Sequence, residues 1–147
     1  MTRRIVPDII KDQKFLGISS SVSAREAAKL MSKHKFGALM VVKDDQLEGI
    51  ISERDISNKI VAQGCDPDKT KVSQIMTKNP ETISPDDTAI KALEHMHERG
   101  FRHLPVLNGE TIIGIVSIRD LYAAAKDQLE DDLKDRDKFI FGTGYGC

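Results

Sequence analysis

Residues 49–55 read Gly49-Ile50-Ile51-Ser52-Glu53-Arg54-Asp55, and the pattern returns at residues 114–120 as Gly114-Ile115-Val116-Ser117-Ile118-Arg119-Asp120. In both copies a short β-branched run ends at a serine, and an aspartate follows three residues later. Such a run favours a strand. Ser-x-x-Asp is typical of a helix start, because both side chains can accept N–H groups that have no partner within the helix. The stretch therefore predicts a strand that turns directly into a helix, twice in one chain.

The two copies belong to a longer internal repeat. When the sequence is shifted by 65 residues, positions 18–60 align with 83–125 without a gap, and 13 of these 43 pairs are identical. Many other pairs are conservative replacements, such as Ile51 with Val116 and Ile56 with Leu121. An ungapped repeat of this length indicates two copies of one supersecondary unit.

Each unit is predicted to run strand, helix, strand, strand, helix. Short strands around 16–18 and 82–83 open the units, and apolar residues at helical spacing follow each of them. We expect Ser23 to cap the first of these helices, and Ser84 with Pro85 to begin the corresponding helix of the second unit. Asn108-Gly109 between two apolar runs is typical of a tight hairpin.

A unit of about 48 residues is too small to cover both faces of its sheet, whereas two units packed together can do so. We therefore predict an α+β fold made of two packed repeats. The chain divides into repeat 1 (5–62), a connector (63–79), repeat 2 (80–125), and a charged helical extension with a glycine-rich tail (126–147). The apolar run Phe139-Ile140-Phe141 in the tail is expected to dock on its own module or on a second subunit.

Composition excludes several classes of protein. The 147 residues carry 22 Lys and Arg against 23 Asp and Glu, so a net charge of −1 offers no general attraction to nucleic acid. No apolar run approaches the roughly 18 residues that a membrane span needs, and Pro7 and Asp8 interrupt any secretion signal. We expect a cytoplasmic protein without membrane insertion, whose two cysteines are free thiols.

Catalytic and metal-binding patterns are absent from the sequence. There is no G-x-S-x-G, HExxH or Walker motif and no Cys/His pair at motif spacing, so we expect no catalytic residues. His95 and His97 lie two residues apart on a predicted helix, where their rings point to different sides, and we expect no metal site. Glycines 142, 144 and 146 follow no predicted strand and are interpreted as a tail rather than a phosphate loop.

Two interpretations of the Ser-x-x-Asp turns remain open from the residues alone. The turns can be capping boxes that stabilise the helix starts. They can also bind a ligand, because a helix start attracts an anion, a hydroxyl can bond ribose or phosphate, and a carboxylate can accept both hydroxyls of a ribose.

The repeated Gly-apolar-apolar-Ser-x-x-Asp pattern resembles the signature of the cystathionine-β-synthase (CBS) domain. Residues 37–42 (Gly-Ala-Leu-Met-Val-Val) resemble its middle strand, and residues 72–77 (Val-Ser-Gln-Ile-Met-Thr) its inter-repeat connector. The resemblance covers about residues 5–125 and includes both copies of a tandem pair. It implies two β-α-β-β-α repeats related by pseudo-two-fold symmetry, forming a module that pairs as a homodimer.

The same resemblance implies a function. CBS pairs commonly bind adenosine nucleotides in the clefts between repeats, so we expect a non-catalytic sensor of energy or redox state that regulates an enzyme or transporter. AMP, ADP or ATP is expected before NAD(H) or S-adenosylmethionine, with no obligatory cofactor. The alternative is a scaffold that binds a partner and has empty clefts.

Matching positions give candidate ligand-binding residues. Asp55 and Asp120 would take the ribose hydroxyls, with Ser52 and Ser117 beside them. In one cleft the base would lie against Ile18, Gly37 and Ala38. In the other cleft it would lie against Thr82, Ile83, Leu104 and Pro105. Arg102 and His103 would bind phosphate in the Ser117/Asp120 cleft, which we expect to be the stronger site because Gly37 and Ala38 offer no such donors. Arg54 and Arg119 would reach phosphate or form surface salt bridges.

Overall fold

A computed structural model describes residues 3–144 of the chain, with side chains described for residues 3–136. The segment Ile5–Ile9 forms an irregular turn with extended backbone at Val6. The elements that follow in chain order are β1 (Gly17–Ile18), α1 (Ala24–His34), β2 (Ala38–Lys43), β3 (Gln46–Ser52), α2 (Glu53–Asp55), α3 (Val72–Ile75), β4 (Thr77–Lys78), α4 (Ala89–Arg99), β5 (His103–Asn108), β6 (Thr111–Ser117) and α5 (Ile118–Gly144). A wider helical segment, Ile56–Val61, continues α2. The predicted order of strand, helix, strand, strand, helix therefore occurs in the first repeat.

The first repeat is built on a four-stranded sheet in the order β1-β2-β3-β4. β1 runs parallel to β2, and the other neighbours are antiparallel. Asp44 and Asp45 connect β2 to β3 with φ of 52° and 63°, the left-handed backbone that a tight hairpin needs at both central positions. The Ser23 side chain accepts the Glu26 N–H and caps α1 as predicted.

The connector is part of this first sheet. β4 lies within the predicted connector, 63–79, and pairs with Gly49 and Ile50 of β3. α3 packs Val72 and Ile75 into the first core. The segment is thus an integral edge of repeat 1 rather than a separate linker.

The second repeat differs at its start from the sequence prediction. Helix α4 begins at Ala89 after the cap residue Thr88, so the helix start predicted at Ser84-Pro85 is wrong. Asp87 Oδ2 accepts the Ser84 N–H at 2.9 Å and closes residues 84–87 into a turn. The cap passes to Thr88, which is the counterpart of Ser23 in the repeat. The predicted opening strand at 82–83 is reduced to a single parallel bridge between Ile83 and Val106.

The N-terminal segment packs with the second repeat. Ile5 and Ile10 are buried in the core formed around α4, β5 and β6, and the Ile5 N–H donates to the Asp87 carbonyl at 2.9 Å. The sequence division assigned residues 5–62 to repeat 1, but residues 5–10 contribute to the core of repeat 2. The chain therefore crosses from one repeat to the other over residues 11–16.

Gln13 in this crossing segment completes the edge of β6. Its Oε1 accepts the Ile115 N–H at 2.8 Å, and its Nε2 donates to the Ile115 carbonyl at 3.1 Å. A Cβ on Gly114 would overlap the Gln13 side chain, so this close approach requires glycine. The repeat aligns Asp12-Gln13 with the two residues of β4, so one side chain takes the place that a short strand occupies beside β3.

Helix α5 continues past the second repeat and forms the charged helical extension that the sequence predicts. Arg3 holds it to the N-terminal segment through Asp131, with Nη2 and Oδ2 2.6 Å apart. Tyr122, Leu129 and Leu133 are more than half exposed along the helix. The expected docking of 139–141 concerns side chains outside the described residues. None of the helices within residues 3–144 is long and apolar enough to span a membrane.

Candidate functional site: a cleft between the repeats

A cavity of about 810 Å³ lies between the two repeats. This volume falls within the usual range of small-molecule sites, roughly 300–1,000 Å³. One wall comes from the crossing segment, α1 and the start of β2, and the other from β6 and the start of α5. Residues from both repeats line it, including Gln13, Lys14, Lys35, Gly37, Ala38, Glu53, Arg102, His103, Ser117, Arg119 and Asp120.

The second Ser-x-x-Asp turn presents a carboxylate to this cavity. Asp120 Oδ2 accepts the Ser117 N–H at 3.1 Å, and the Asp120 N–H donates to Ser117 Oγ at 3.2 Å. The capping interpretation is therefore correct for this turn. Asp120 is exposed, and Oδ1 forms no hydrogen bond or ion pair with any residue from 3 to 136. The carboxylate can cap α5 with one oxygen and accept a ligand hydroxyl with the other.

Four cationic side chains line the same cavity, namely Lys14, Lys35, Arg102 and Arg119. None of them forms a side-chain hydrogen bond or ion pair with another residue between 3 and 136. The acidic groups in the lining are Glu53 and Asp120. Because cations outnumber carboxylates, the cavity suits an anionic ligand.

His103 stands where the two repeats meet. Burial lowers the pKa of its imidazole, the charges of Glu53 and Asp120 raise it, and Arg102 lowers it further. A Cβ on Gly37 would lie 3.0 Å from His103 Nε2. The absence of a side chain at Gly37 therefore lets the ring pack against the start of β2.

A second, smaller cavity of about 230 Å³ surrounds the first Ser-x-x-Asp turn. Asp55 Oδ2 accepts the Ser52 N–H at 2.8 Å, and its Oδ1 lies 3.0 Å from Lys59 Nζ. The Arg54 guanidinium donates to the Gly100 carbonyl at 3.3 Å, so it reaches the other repeat. The smaller cavity has polar groups, but its own aspartate and arginine already have partners within the protein.

The structure groups the predicted residues differently from the sequence analysis. Gly37 and Ala38 line the cavity of Asp120, not that of Asp55, and Arg102 and His103 line both cavities. The start of the middle strand in one repeat thus faces the helix start of the other, because the two repeats pack face to face. Arg119 lines the larger cavity, and Ser52, Arg54 and Asp55 line the smaller.

Five predicted residues line neither of these two cavities: Ile18, Thr82, Ile83, Leu104 and Pro105. Ile18 is buried in the core of repeat 1, and Ile83 and Leu104 in that of repeat 2. Pro105 is also buried, and Thr82 is exposed. The structure thus places the predicted base-binding wall outside these two cavities, and its role in binding a base stays a prediction.

Sequence reasoning missed Lys14, Lys35 and Glu53. Glu53 occupies a variable position of the motif, where the second copy has Ile118, and this difference was the available signal. Lys14 and Lys35 lie outside the motif and reach the cavity only because the crossing segment and the end of α1 converge there.

Comparison with protein families agrees with the internal repeat. The family model for the CBS domain matches residues 2–62 and again residues 72–127. The chain belongs to the CBS-domain family and carries two CBS repeats.

Several relatives share most of the chain. It is 35% identical over 139 residues to the mitochondrial CBS domain-containing protein CBSX3 of Arabidopsis thaliana, covering 91% of this chain and 67% of that protein. It is 35% identical over 113 residues to the Arabidopsis thaliana CBS domain-containing protein CBSCBSPB2, covering 76% of this chain but 21% of that longer protein.

Solved structures include relatives with bound adenosine compounds. The CBS domain pair of protein MJ0100, in complex with 5′-methylthioadenosine and S-adenosyl-L-methionine, has a TM-score of 0.77 and 27% identity, covering 87% of this chain and 99% of that one. The CBS domain protein PAE2072 from Pyrobaculum aerophilum, complexed with AMP, has a TM-score of 0.71 and 27% identity, covering 80% of this chain and 88% of that one.

Proposed function

We propose that this CBS pair is a non-catalytic regulatory module that binds one adenosine nucleotide in the larger cavity. The observation that carries the proposal is the open carboxylate of Asp120, at a helix start inside a cavity of about 810 Å³ that unpaired cations line. The helix start and the cations favour the anionic part of a nucleotide. The carboxylate suits the neighbouring hydroxyls of a ribose.

Each part of the nucleotide has candidate partners in the proposal. Asp120 accepts from the ribose hydroxyls, and Ser117 lies beside them. Arg102, His103 and Arg119 bind the phosphates. The base packs against Gly37 and Ala38, where backbone groups and small side chains leave space for a flat ring.

The charge of the lining orders the ligands within the proposal. The lining has four cations, Lys14, Lys35, Arg102 and Arg119, and two carboxylates, Glu53 and Asp120. This excess of positive charge favours AMP, ADP or ATP, whose phosphates carry negative charge. NAD(H) also carries phosphates but needs room for a second nucleoside. S-adenosylmethionine has a positively charged sulfonium, which these cations would repel.

Regulation follows from the position of the cavity. A nucleotide that contacts both repeats binds most tightly to one relative arrangement of them and shifts the population towards it. A bound enzyme or transporter can read that arrangement, which would make the module a sensor of cellular energy. We further propose that the module is a cytoplasmic homodimer, an assembly that light scattering on the purified protein would test.

Thermal unfolding of nucleotide-free protein against a ligand panel tests the proposal. The panel contains AMP, ADP, ATP, NAD⁺ and S-adenosylmethionine, with GMP as the base control. A ligand at about 100 times its Kd adds roughly 2.7 kcal/mol to the free energy of unfolding. We expect a rise of about 5–10 °C in Tm with an adenosine nucleotide.

Asp120→Asn is the diagnostic variant, because the amide keeps an oxygen for the Ser117 N–H but loses the charge. Asp86→Asn, an exposed position in the turn at 84–87, is the matched control. A ligand-dependent rise that Asp120→Asn reduces by about half or more and Asp86→Asn retains supports the proposal. A flat response to millimolar ligand would reject it in favour of the scaffold, and capture of a binding partner would then be the next experiment.

A further inference from the structure

We propose that Lys59 prevents nucleotide binding in the smaller cleft by pairing with Asp55, so that each chain binds a single nucleotide in the larger cleft. The inference rests on the proposed function, because it concerns which copy of the Ser-x-x-Asp turn receives the ribose. The two copies share the residues of the motif, and the difference lies one helical turn further on.

In the first copy, Lys59 occupies the oxygen that a ribose would need. Asp55 Oδ2 accepts from both the N–H and the Oγ–H of Ser52, at 2.8 and 3.2 Å, and Oδ1 lies 3.0 Å from Lys59 Nζ. The Asp55 side chain is only 15% exposed. A carboxylate with both oxygens engaged and little exposure has no place for a pair of ligand hydroxyls.

Lys59 is itself held in place from a second side. Its ammonium also donates to the Ile75 carbonyl at 2.8 Å, which is the end of α3 in the connector. A ribose at Asp55 would have to separate the ammonium from its carboxylate. The contact with Ile75 keeps the ammonium beside Asp55, because the lysine is anchored between two elements of repeat 1.

The second copy has no such cation. The repeat places Ala124 where the first copy has Lys59, and a methyl group cannot reach the Asp120 carboxylate one turn earlier. Asp120 Oδ1 accordingly lacks a hydrogen-bond or ion-pair partner among residues 3–136. The aspartate of the motif therefore has an oxygen available to a ligand at the larger cavity, whereas both oxygens of its counterpart at the smaller cavity are engaged within the protein.

The volumes of the two clefts and the cationic residues that they share also favour binding of a single nucleotide. The cleft at Asp55 has about 230 Å³ against about 810 Å³ at Asp120. Arg102 and His103 line both clefts, so a phosphate bound in the larger one takes the donors that the smaller one would use. Binding of one nucleotide thus opposes binding of a second.

Equilibrium dialysis with radiolabelled AMP, followed to saturation, measures the number of sites. We expect one equivalent per chain for the wild type. Lys59→Ala and Lys59→Met both free Asp55 and should add a second, weaker equivalent. Lys59→Arg keeps a cation and should remain at one. The second equivalent should disappear when Asp55→Ala is added to Lys59→Ala.

The reciprocal variant closes the other cleft. Ala124→Lys places an ammonium four residues after Asp120, as Lys59 is placed after Asp55. We expect the affinity for AMP to fall at least about tenfold, because a hydrogen bond to a charged group is worth that much. Ala124→Met is the matched control: its side chain is also long but uncharged, and it should retain most of the affinity if the fold is intact by circular dichroism.

The outcomes separate this inference from the proposed function. Two equivalents of similar affinity in the wild type, or one unchanged equivalent in both Lys59→Ala and Lys59→Met, would overturn the inference while nucleotide binding stands. Equal loss of affinity in Ala124→Lys and Ala124→Met would also overturn it, because bulk rather than charge would then be the cause. A wild type that binds no AMP, ADP or ATP at all would overturn the proposed function and the inference together.

Discussion

The two Ser-x-x-Asp turns have the same capping geometry and different surroundings. Asp55 closes its helix start and also binds Lys59, so the turn is complete within the protein. Asp120 caps its helix start in the same way, lines the large cavity, and has a second oxygen with no hydrogen-bond or ion-pair partner among residues 3–136. The comparison teaches that the motif by itself specifies a helix start, and that the residues packed around it decide whether it can also bind a ligand.

The largest expected effect comes from removing each carboxylate in turn. Asp120→Ala should lower the affinity for AMP by about 10–100-fold, because hydrogen bonds from the ribose to a charged acceptor are lost. Asp55→Ala should leave the affinity within about threefold. Isothermal titration calorimetry measures both.

The free energy of unfolding provides a control for the comparison of Asp120→Ala with Asp55→Ala. Both variants lose a cap and should lose about 0.5–2 kcal/mol in the free energy of unfolding, as measured by urea denaturation. Asp55→Ala should lose the larger amount, because Lys59 also loses its ion-pair partner. If the two variants lose ligand affinity equally, the contrast between an open and a closed turn is wrong.

The next effect comes from the close packing of Gly37 on His103. Gly37→Ala introduces a Cβ 3.0 Å from His103 Nε2, so the ring has to shift. We expect the affinity for AMP to fall by up to about threefold, because an imidazole moved by a few tenths of an ångström makes a poorer hydrogen bond to the phosphate. The measurement is the same titration.

A double-mutant cycle sharpens this test. In a His103→Ala background the added methyl has no ring to displace, so Gly37→Ala should then have little further effect on affinity. Additive losses from the two substitutions would show that Gly37 acts by another route, such as direct contact with the base.

The pH dependence of binding is expected to be moderate and to follow His103. Burial lowers the pKa of the free imidazole, so the ring is neutral near pH 7 in the unliganded protein. A bound phosphate favours the imidazolium and raises that pKa. The contribution of His103 to AMP affinity should therefore increase as the pH falls through the pKa of the bound form and level off below the pKa of the free form, while protonation of the AMP phosphate, whose second pKa is about 6, acts in the opposite direction.

Adenosine is the matched ligand for this measurement, because it has no phosphate and should show a flat profile over the same range. His103→Gln should remove the histidine contribution and leave for AMP only the loss of affinity that protonation of its phosphate causes at low pH. The unliganded protein has the opposite dependence: a lowered pKa means that the unfolded chain binds more protons, so stability falls as the pH falls below the ordinary histidine value. Parallel profiles for AMP and adenosine would contradict the placement of His103 at the phosphate.

Much of the fold could be predicted from the repeat alone. The internal repeat at a spacing of 65 residues predicted both hairpins and both strand-to-helix turns, because these features depend on the local sequence pattern. Ser23 caps its helix as expected. The start of α4 was missed because Ser84 and Thr88 both offer a capping hydroxyl. In the structure Thr88 accepts the Lys91 N–H as the cap, and Ser84 forms a turn with Asp87.

The composition of the site was harder to predict, because it depends on which repeat faces which. The motif residues Ser117 and Asp120 and the pair Arg102-His103 could be found from sequence, and they do lie in one cavity. Gly37 and Ala38 were grouped with the Asp55 turn of their own repeat, whereas in the structure they line the cavity of Asp120. Lys14 reaches the cavity through the crossing of the N-terminal segment between repeats, which no local pattern indicates.

The smallest expected effect concerns how the two repeats complete their sheet edges. Beside β3, two residues of β4 pair through their backbones, whereas beside β6 the Gln13 side chain alone occupies the edge. Because Gln13 is exposed, its two hydrogen bonds should stabilise the protein by about 1 kcal/mol at most. Gln13→Ala should nevertheless increase hydrogen exchange at the Ile115 amide several-fold, since that amide loses its acceptor.

The amide of Ile50 is the comparison within the same protein, because it lies at the matching position of β3 and should exchange at an unchanged rate. Gln13→Glu separates the two hydrogen bonds: the carboxylate still accepts the Ile115 N–H but cannot donate to its carbonyl. We expect intermediate exchange at Ile115 in that variant. Unchanged exchange at Ile115 in Gln13→Ala would mean that the side chain does not hold this edge, and that the backbone of the crossing segment protects it instead.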